Sequence, residues 1–151
     1  MLTDMSTEAT GTYDKSAHLE MIQSVISRMS SNSFSVKTWS IGLVAALLAL
    51  AGQPSTTPSP VLFRVATAAA LLFALLDTAY LRQERLFRHL YEAVRHPEPK
   101  VSPYEMSTAH FRAARDAAWW RLPMSWSIWP LYLTLIGSCC ALDRALTGAF
   151  W

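Results

Sequence analysis

The sequence predicts an all-α, multi-pass membrane protein with three transmembrane helices and a cytosolic helical layer. Three observations predict it. The run at 61–81, VLFRVATAAALLFALLDTAYL, is apolar and long enough to cross a bilayer, which takes about 20 residues. It continues without Gly or Pro into RQERLFRHLYEAV at 82–94, which is too charged to remain in lipid. Charged residues make up 16% of the chain, below the usual ~25%, and avoid three stretches.

The other two stretches supply the remaining spans. Residues 36–51, VKTWSIGLVAALLALA, form a short first span that Phe34 and Ser35 extend. Residues 126–142, WSIWPLYLTLIGSCCAL, form the third, with Pro130 in the first turns where a missing N–H costs least. A helix lying in the interface is the alternative for this third segment. The small residues Ala49-Leu50-Ala51 before Gly52 resemble a signal-peptide cleavage site, but Asp4, Glu8, Asp14 and Glu20 precede them, whereas secretory n-regions are short and basic.

Basic residues set the orientation. Arg82, Arg85, Arg88, Arg95, Lys100, Arg112, Arg115 and Arg121 all follow the second span, and the loop GQPSTTPSP between the first two has none. Positive loops stay in the cytoplasm, so the N-terminus and residues 82–121 are placed there. Trp39, Tyr80, Trp119, Trp120, Trp126 and Trp129 fall near that boundary as an aromatic belt.

Four segments follow. Residues 1–35 hold a cytosolic amphipathic helix behind a polar, frayed 1–12. Asp14 or Ser16 caps it, and Leu19, Ile22, Ile26 and Met29 form its apolar stripe. SSNS at 30–33 is expected to break or kink it. Residues 36–96 form a hairpin whose second helix projects into the cytosol. The 61–94 stretch, at 1.5 Å per residue, is about 51 Å long and leaves about 20 Å beyond a ~30 Å bilayer core. His96-Pro97 ends that helix. Residues 97–125 carry a second cytosolic amphipathic helix, started by the capping box Ser102-Pro103-Tyr104-Glu105 and stopped before Pro123. Residues 126–151 hold the third membrane helix and the C-terminus. The cytosolic apolar stripes are expected to pack on one another, with packing between protomers as the alternative.

Asp77 is the outstanding polar residue, a carboxylate in the cytosolic third of the second span. Hairpin geometry sets it level with about residue 36, which makes Lys37 and Ser40 its natural partners. Such a pair pins the hairpin register; a gating residue facing an oligomer axis is the functional alternative. Gly42 and Ala46, Ala66 and Ala70, and Ala70 and Ala74 have the small-xxx-small spacing that permits close helix approach and self-association. Arg82, Arg85, Phe87, His89 and Tyr91 form a candidate cytosolic interaction face.

Several chemistries find no basis. The two cysteines, Cys139 and Cys140, are neighbours, which excludes a disulfide framework and a cysteine zinc site. His18, His96 and His110 lack metal-ligand spacing. There is no P-loop, Rossmann glycine pattern, nucleophile elbow or HExxH. Arg82 and His89 form an Arg-x6-His pattern that resembles the motif of HEPN ribonucleases, but a solvated helix face is the simpler reading of an arginine-rich helix. No enzyme activity, cofactor or metal is expected. A net charge of +2 gives no reason to expect nucleic acid as a partner.

HLEMIQSVISRMSSNSFSVKTWS at 18–40 and LLDTAYLRQERLFRHLYEAVR at 75–95 together resemble small bacterial inner-membrane proteins with a membrane hairpin and a YLRQERLFRxLY-like juxtamembrane helix. The resemblance implies a multi-pass protein of the bacterial inner membrane and carries over no active site. The general build is also similar to membrane-permeabilising effectors of phage defence. The expected function is therefore an oligomeric membrane effector or channel controlled through its cytosolic helices. Its expected partners are the bilayer and further copies of the chain. A non-conducting anchor recruiting a cytosolic protein is the first alternative, and a membrane-bound HEPN-like nuclease the second.

Overall fold

The computed structural model describes residues 13–53, 59–96, 101–118, 122 and 125–148. Expectations for residues 1–12, Pro97, Lys100, Trp119, Trp120, Arg121 and Pro123 lie outside the described residues. The element order is α1 (Lys15–Ala51), α2 (Pro60–Arg95), two 3-10 turns (Ala109–Phe111 and Arg115–Ala117) and α3 (Trp129–Thr147), with no strand among the described residues. The chain is all-α, and α1 and α2 are both long and apolar enough to cross a membrane.

Both long helices run unbroken. Asp14 caps α1 by accepting from the Ser16 and Ala17 amides at 2.9 and 3.3 Å, which satisfies two of its orphan donors. The expected break at Ser30-Ser31-Asn32-Ser33 does not occur: α1 spans 37 residues, about 55 Å. Serine and asparagine are weak helix formers, costing a few tenths of a kcal/mol each (~0.5). Here their hydroxyls are used: Ser35 Oγ donates to the Ser31 carbonyl at 3.1 Å, and Ser33 is turned into the hairpin. α2 begins at Pro60, where a proline N–H is not missed, and ends at Arg95 before His96.

The two helices are antiparallel and packed along their length, closed at the turn by a Ser59 amide bond to the Ala51 carbonyl at 3.3 Å. At the opposite end, Lys15 Nζ donates to the Arg95 and His96 carbonyls at 3.1 and 2.8 Å, a cation placed on the negative end of α2.

Two cores divide the molecule. In the polar half, Ile22, Ile26, Leu90 and Val94 are buried, with Leu19, Phe87, Tyr91, Val101, Met106 and Phe111 packed around them. The stripes do pack on one another. In the apolar half, Val44, Ala66, Ala70 and Cys139 form a three-helix core flanked by Leu47, Leu48, Leu135 and Ile136. α3 packs mainly on α2. It starts beside Arg85 and ends beside Gly52, where Leu146 Cδ1 would stand 3.4 Å from an added Cβ. From Tyr132 to Leu146 it rises about 21 Å, matching the ~22 Å from Lys37 to Gly52 on α1. α3 therefore runs beside the whole apolar half. With 19 residues and two charges near its end it does not reach the length and apolarity that α1 and α2 have.

The second expected cytosolic helix, within 97–125, is not an α-helix. The Ser102–Glu105 pair does form, with Glu105 Oε2 accepting from the Ser102 amide at 3.1 Å. But Tyr104 sits at φ 57°, the left-handed region, and no helix follows. Tertiary bonds take the carbonyls a helix would use: Glu105 bonds to the His18 ring at 3.0 Å, and Ala117 accepts from Arg82 Nε at 3.1 Å. The segment 101–118 is instead a connector laid along α2.

Candidate functional site

The boundary between the two halves holds a polar cluster built by three helices. Asp77 of α2 is fully buried. Lys37 of α1 places Nζ 2.6 Å from Asp77 Oδ2, and Ser33 Oγ donates to Asp77 Oδ1 at 2.5 Å. Lys37 Nζ also donates to Ser33 Oγ at 2.8 Å, which closes a three-membered ring of contacts. Ser33 and Lys37 share a face because they are one helical turn apart. Thr78 caps its own hydroxyl on the Ala74 carbonyl at 2.7 Å and contributes no bond to the ring.

Ser40 lies on the same buried face of α1, as expected, but its hydroxyl is not in a well-aligned hydrogen bond, and neither is that of Tyr132 from α3. Tyr132 stands against both Asp77 and Ser40. The sequence reading missed Ser33 and Tyr132. The signal for Ser33 was its i−4 spacing from Lys37; for Tyr132 it was a lone hydroxyl in an apolar helix, at the height of Asp77 once α3 is set beside the hairpin.

Asp77 is buried in its own three-helix core, facing α1 and α3. The charge is neutralised within the chain. Chemically the cluster is a latch: an ion pair between α1 and α2 in a low-dielectric setting, with two spare hydroxyls beside it.

The five residues expected as an outward interaction face turn to the chain's own segments. Arg82 bonds to Ala117, and Arg85 NH2 donates to Ser125 Oγ at 3.1 Å. His89 stacks on Phe111 with ring centroids 6.2 Å apart and 18° between planes. Phe87 and Tyr91 pack on the polar-half core. Arg82 and His89 lie about 10 Å apart along the axis, each engaged with the connector, and do not converge on one point.

Two buried polar groups were not anticipated. His18 is fully buried, bonded to Tyr13 Oη at 3.0 Å through Nδ1 and to the Glu105 carbonyl at 3.0 Å through Nε2. It pins the connector to α1. Asp143, near the end of α3, is buried and accepts from Thr147 Oγ1 at 3.0 Å. Among the described residues no three His, Cys, Asp or Glu side chains converge as a metal site. The small-residue pairs divide: Ala66 and Ala70 are buried inside the protomer, whereas Gly42 and Ala46 are exposed.

No family model, curated protein or solved structure matches this chain.

Proposed function

We propose that the chain is an oligomeric membrane effector of the channel-forming kind, set in a bacterial inner membrane and controlled through its polar half. Membrane insertion is supported by the apolar half's surface. In the most apolar windows of α1 and α2 only 22% and 28% of residues are buried, the reverse of core helices in a soluble domain. Leu43, Leu50, Val61, Val65, Leu72 and Leu75 face outward there. Trp39 and Trp126, 73% and 82% exposed, mark the inner edge as amphipathic rings do. α3 at about 28 Å is the third crossing in this reading. The arginines of 82–115 then put the polar half in the cytosol.

The observation that carries the proposal is the outer face of α1. Ser31, Ser35, Thr38, Gly42, Ala45 and Ala49 are all exposed and repeat at spacings of four and three. Small residues in that rhythm let a second helix approach closely in lipid. Among the described residues the three helices pack directly on one another, so in this reading conduction requires several copies. Because α1 and α2 cross from one half to the other without a break, a rearrangement of the cytosolic layer is transmitted as rigid rods. A scaffold that recruits a partner through the Arg82–Tyr91 face is less favoured, because the connector fills that face. Phage defence is the biological setting proposed.

Gly42→Leu separates assembly from folding, since nothing lies within 4 Å of a Cβ added there. In proteoliposomes the wild type is expected to oligomerise and release a small dye, and Gly42→Leu to remain folded with both properties reduced. Wild-type liposomes that stay tight across all protein densities, or a variant that assembles and leaks as before, would end the proposal.

A further inference from the structure

The connector opens with a turn, Ser102-Pro103-Tyr104-Glu105, closed by the Glu105 amide on the Ser102 carbonyl at 3.1 Å. Proline in second place and a positive φ in third is the type II arrangement, whose third place calls for glycine or asparagine. Here Tyr104 occupies it at φ 57°, and a bulky side chain is strained in the left-handed region. Contacts with the start of α1 hold it there. Tyr104 Oη accepts from the Asp14 amide at 3.1 Å, and its ring lies 5.4 Å from that of Tyr13 and 5.7 Å from that of His18. His18, fully buried, completes the clasp. The Glu105 carbonyl can only accept, so Nε2 donates to it at 3.0 Å, while Tyr13 Oη engages Nδ1 at 3.0 Å.

The same segment carries the signals of a helix it does not form. Glu105 Oε2 already accepts from the Ser102 amide, one arm of a capping box. Residues 109–118, AHFRAARDAA, are rich in the best helix former. Two right-handed 3-10 turns stand there, Ala109–Phe111 and Arg115–Ala117. Local preference and tertiary contact therefore oppose each other, as they do in elements with two packings of similar energy.

We propose that the connector is a releasable strap. In the resting chain the Tyr104–His18 clasp holds it in a strained path along α2. On release Tyr104 returns to the right-handed region and 103–118 winds into the helix its sequence favours. His18 lies about 28 Å along α1 from Lys37, so the clasp opens without breaking the Asp77 latch. The functional reading above enters only in the consequence: release uncovers the cytosolic face of α2 and is the controlling motion of the polar half.

The test reads thiol labelling of Ala117→Cys, a fully buried strap position, in the full chain in mild detergent with Cys139 and Cys140 replaced by alanine. Labelling should be slow and should follow strap opening. Tyr104→Phe keeps the ring and the strain but loses the hydroxyl, and should raise the rate about fivefold, the scale of one hydrogen bond. His18→Leu removes both ring nitrogens and should raise it about tenfold. Ala113→Gly, at an exposed position, weakens the wound state and should lower the rate about fivefold, the helix preference of alanine over glycine. Val44→Cys, fully buried in the apolar half, should stay unlabelled in each background and so report an intact hairpin. If His18→Leu exposes that position too, Tyr104→Phe alone decides. Unchanged labelling in the clasp variants would overturn the strap, and so would faster labelling with Ala113→Gly, because the released segment would then not be helical. In proteoliposomes the clasp variants should release dye faster than the wild type. A strap that opens as described while no variant releases dye keeps this inference and loses the proposed function.

Discussion

Lys37 and Asp77 are unequal partners. Asp77 is fully buried, whereas the Lys37 side chain is 20% exposed. Removing Asp77 leaves a lysine that can turn its ammonium toward the polar half, as long basic side chains do. Removing Lys37 leaves a buried carboxylate without its cation, with only neutral hydroxyls beside it. Breaking such a pair costs about 3–5 kcal/mol. Lys37→Ala should therefore destabilise more than Asp77→Ala, and the double variant should lose less than the sum, as read by equilibrium unfolding in detergent. Strictly additive losses would mean the two groups do not hold the hairpin together. Tyr132→Phe removes a buried hydroxyl that stands beside Asp77 and Ser40 without a well-aligned hydrogen bond, and should cost less than about 1 kcal/mol in the same assay.

Among the elements, α1 depends most on its start. The Asp14 carboxyl is held below its ordinary pKa of 3.8, chiefly by the Ser16 hydroxyl and then by the Ala17 and Ser16 amides. A lowered value in the folded state means that the cap's contribution is complete above the ordinary carboxylate range. It is lost as pH falls through the lowered value. Hydrogen-exchange protection at the Ser16 and Ala17 amides, relative to their intrinsic rates, should be high near neutrality and fall as pH drops through the lowered value, with the middle of α1 unaffected. Uniform protection through that value would show that packing, not the cap, holds the first turn. The connector shows the opposite balance. Its capping box and its AARDAA run favour a helix locally, but His18, Arg82 and the groove between α1 and α2 recruit its carbonyls and its Val101, Met106 and Phe111 into an irregular path.

At the scale of the molecule, two long rods share one latch at the level where the apolar surface ends. That arrangement predicts a topology. Single cysteines at Gln53 and at Ser102, in a chain whose Cys139 and Cys140 are replaced by alanine, should be labelled by an impermeant thiol reagent from opposite sides of the membrane. Gln53 should react from outside intact cells, and Ser102 only after lysis. Labelling of both from one side would refute the crossing of the hairpin.

The sequence by itself determined the all-α class, the long continuous α2 and its antiparallel pairing with the apolar half of α1. It also pointed to the Lys37–Asp77 contact. Each follows from local or one-dimensional physics: runs of apolar residues set helix length, a short turn sets antiparallel register, and a lone carboxylate demands a cation at the same height. Only the tertiary structure decided that α1 passes through Ser30–Ser33 without a break, that the 101–118 segment is not an α-helix, and that Tyr132 joins Asp77. In each case a partner distant in sequence satisfies backbone or hydroxyl groups that local propensity would have assigned elsewhere, and no pattern within a single segment reveals which distant partner that is.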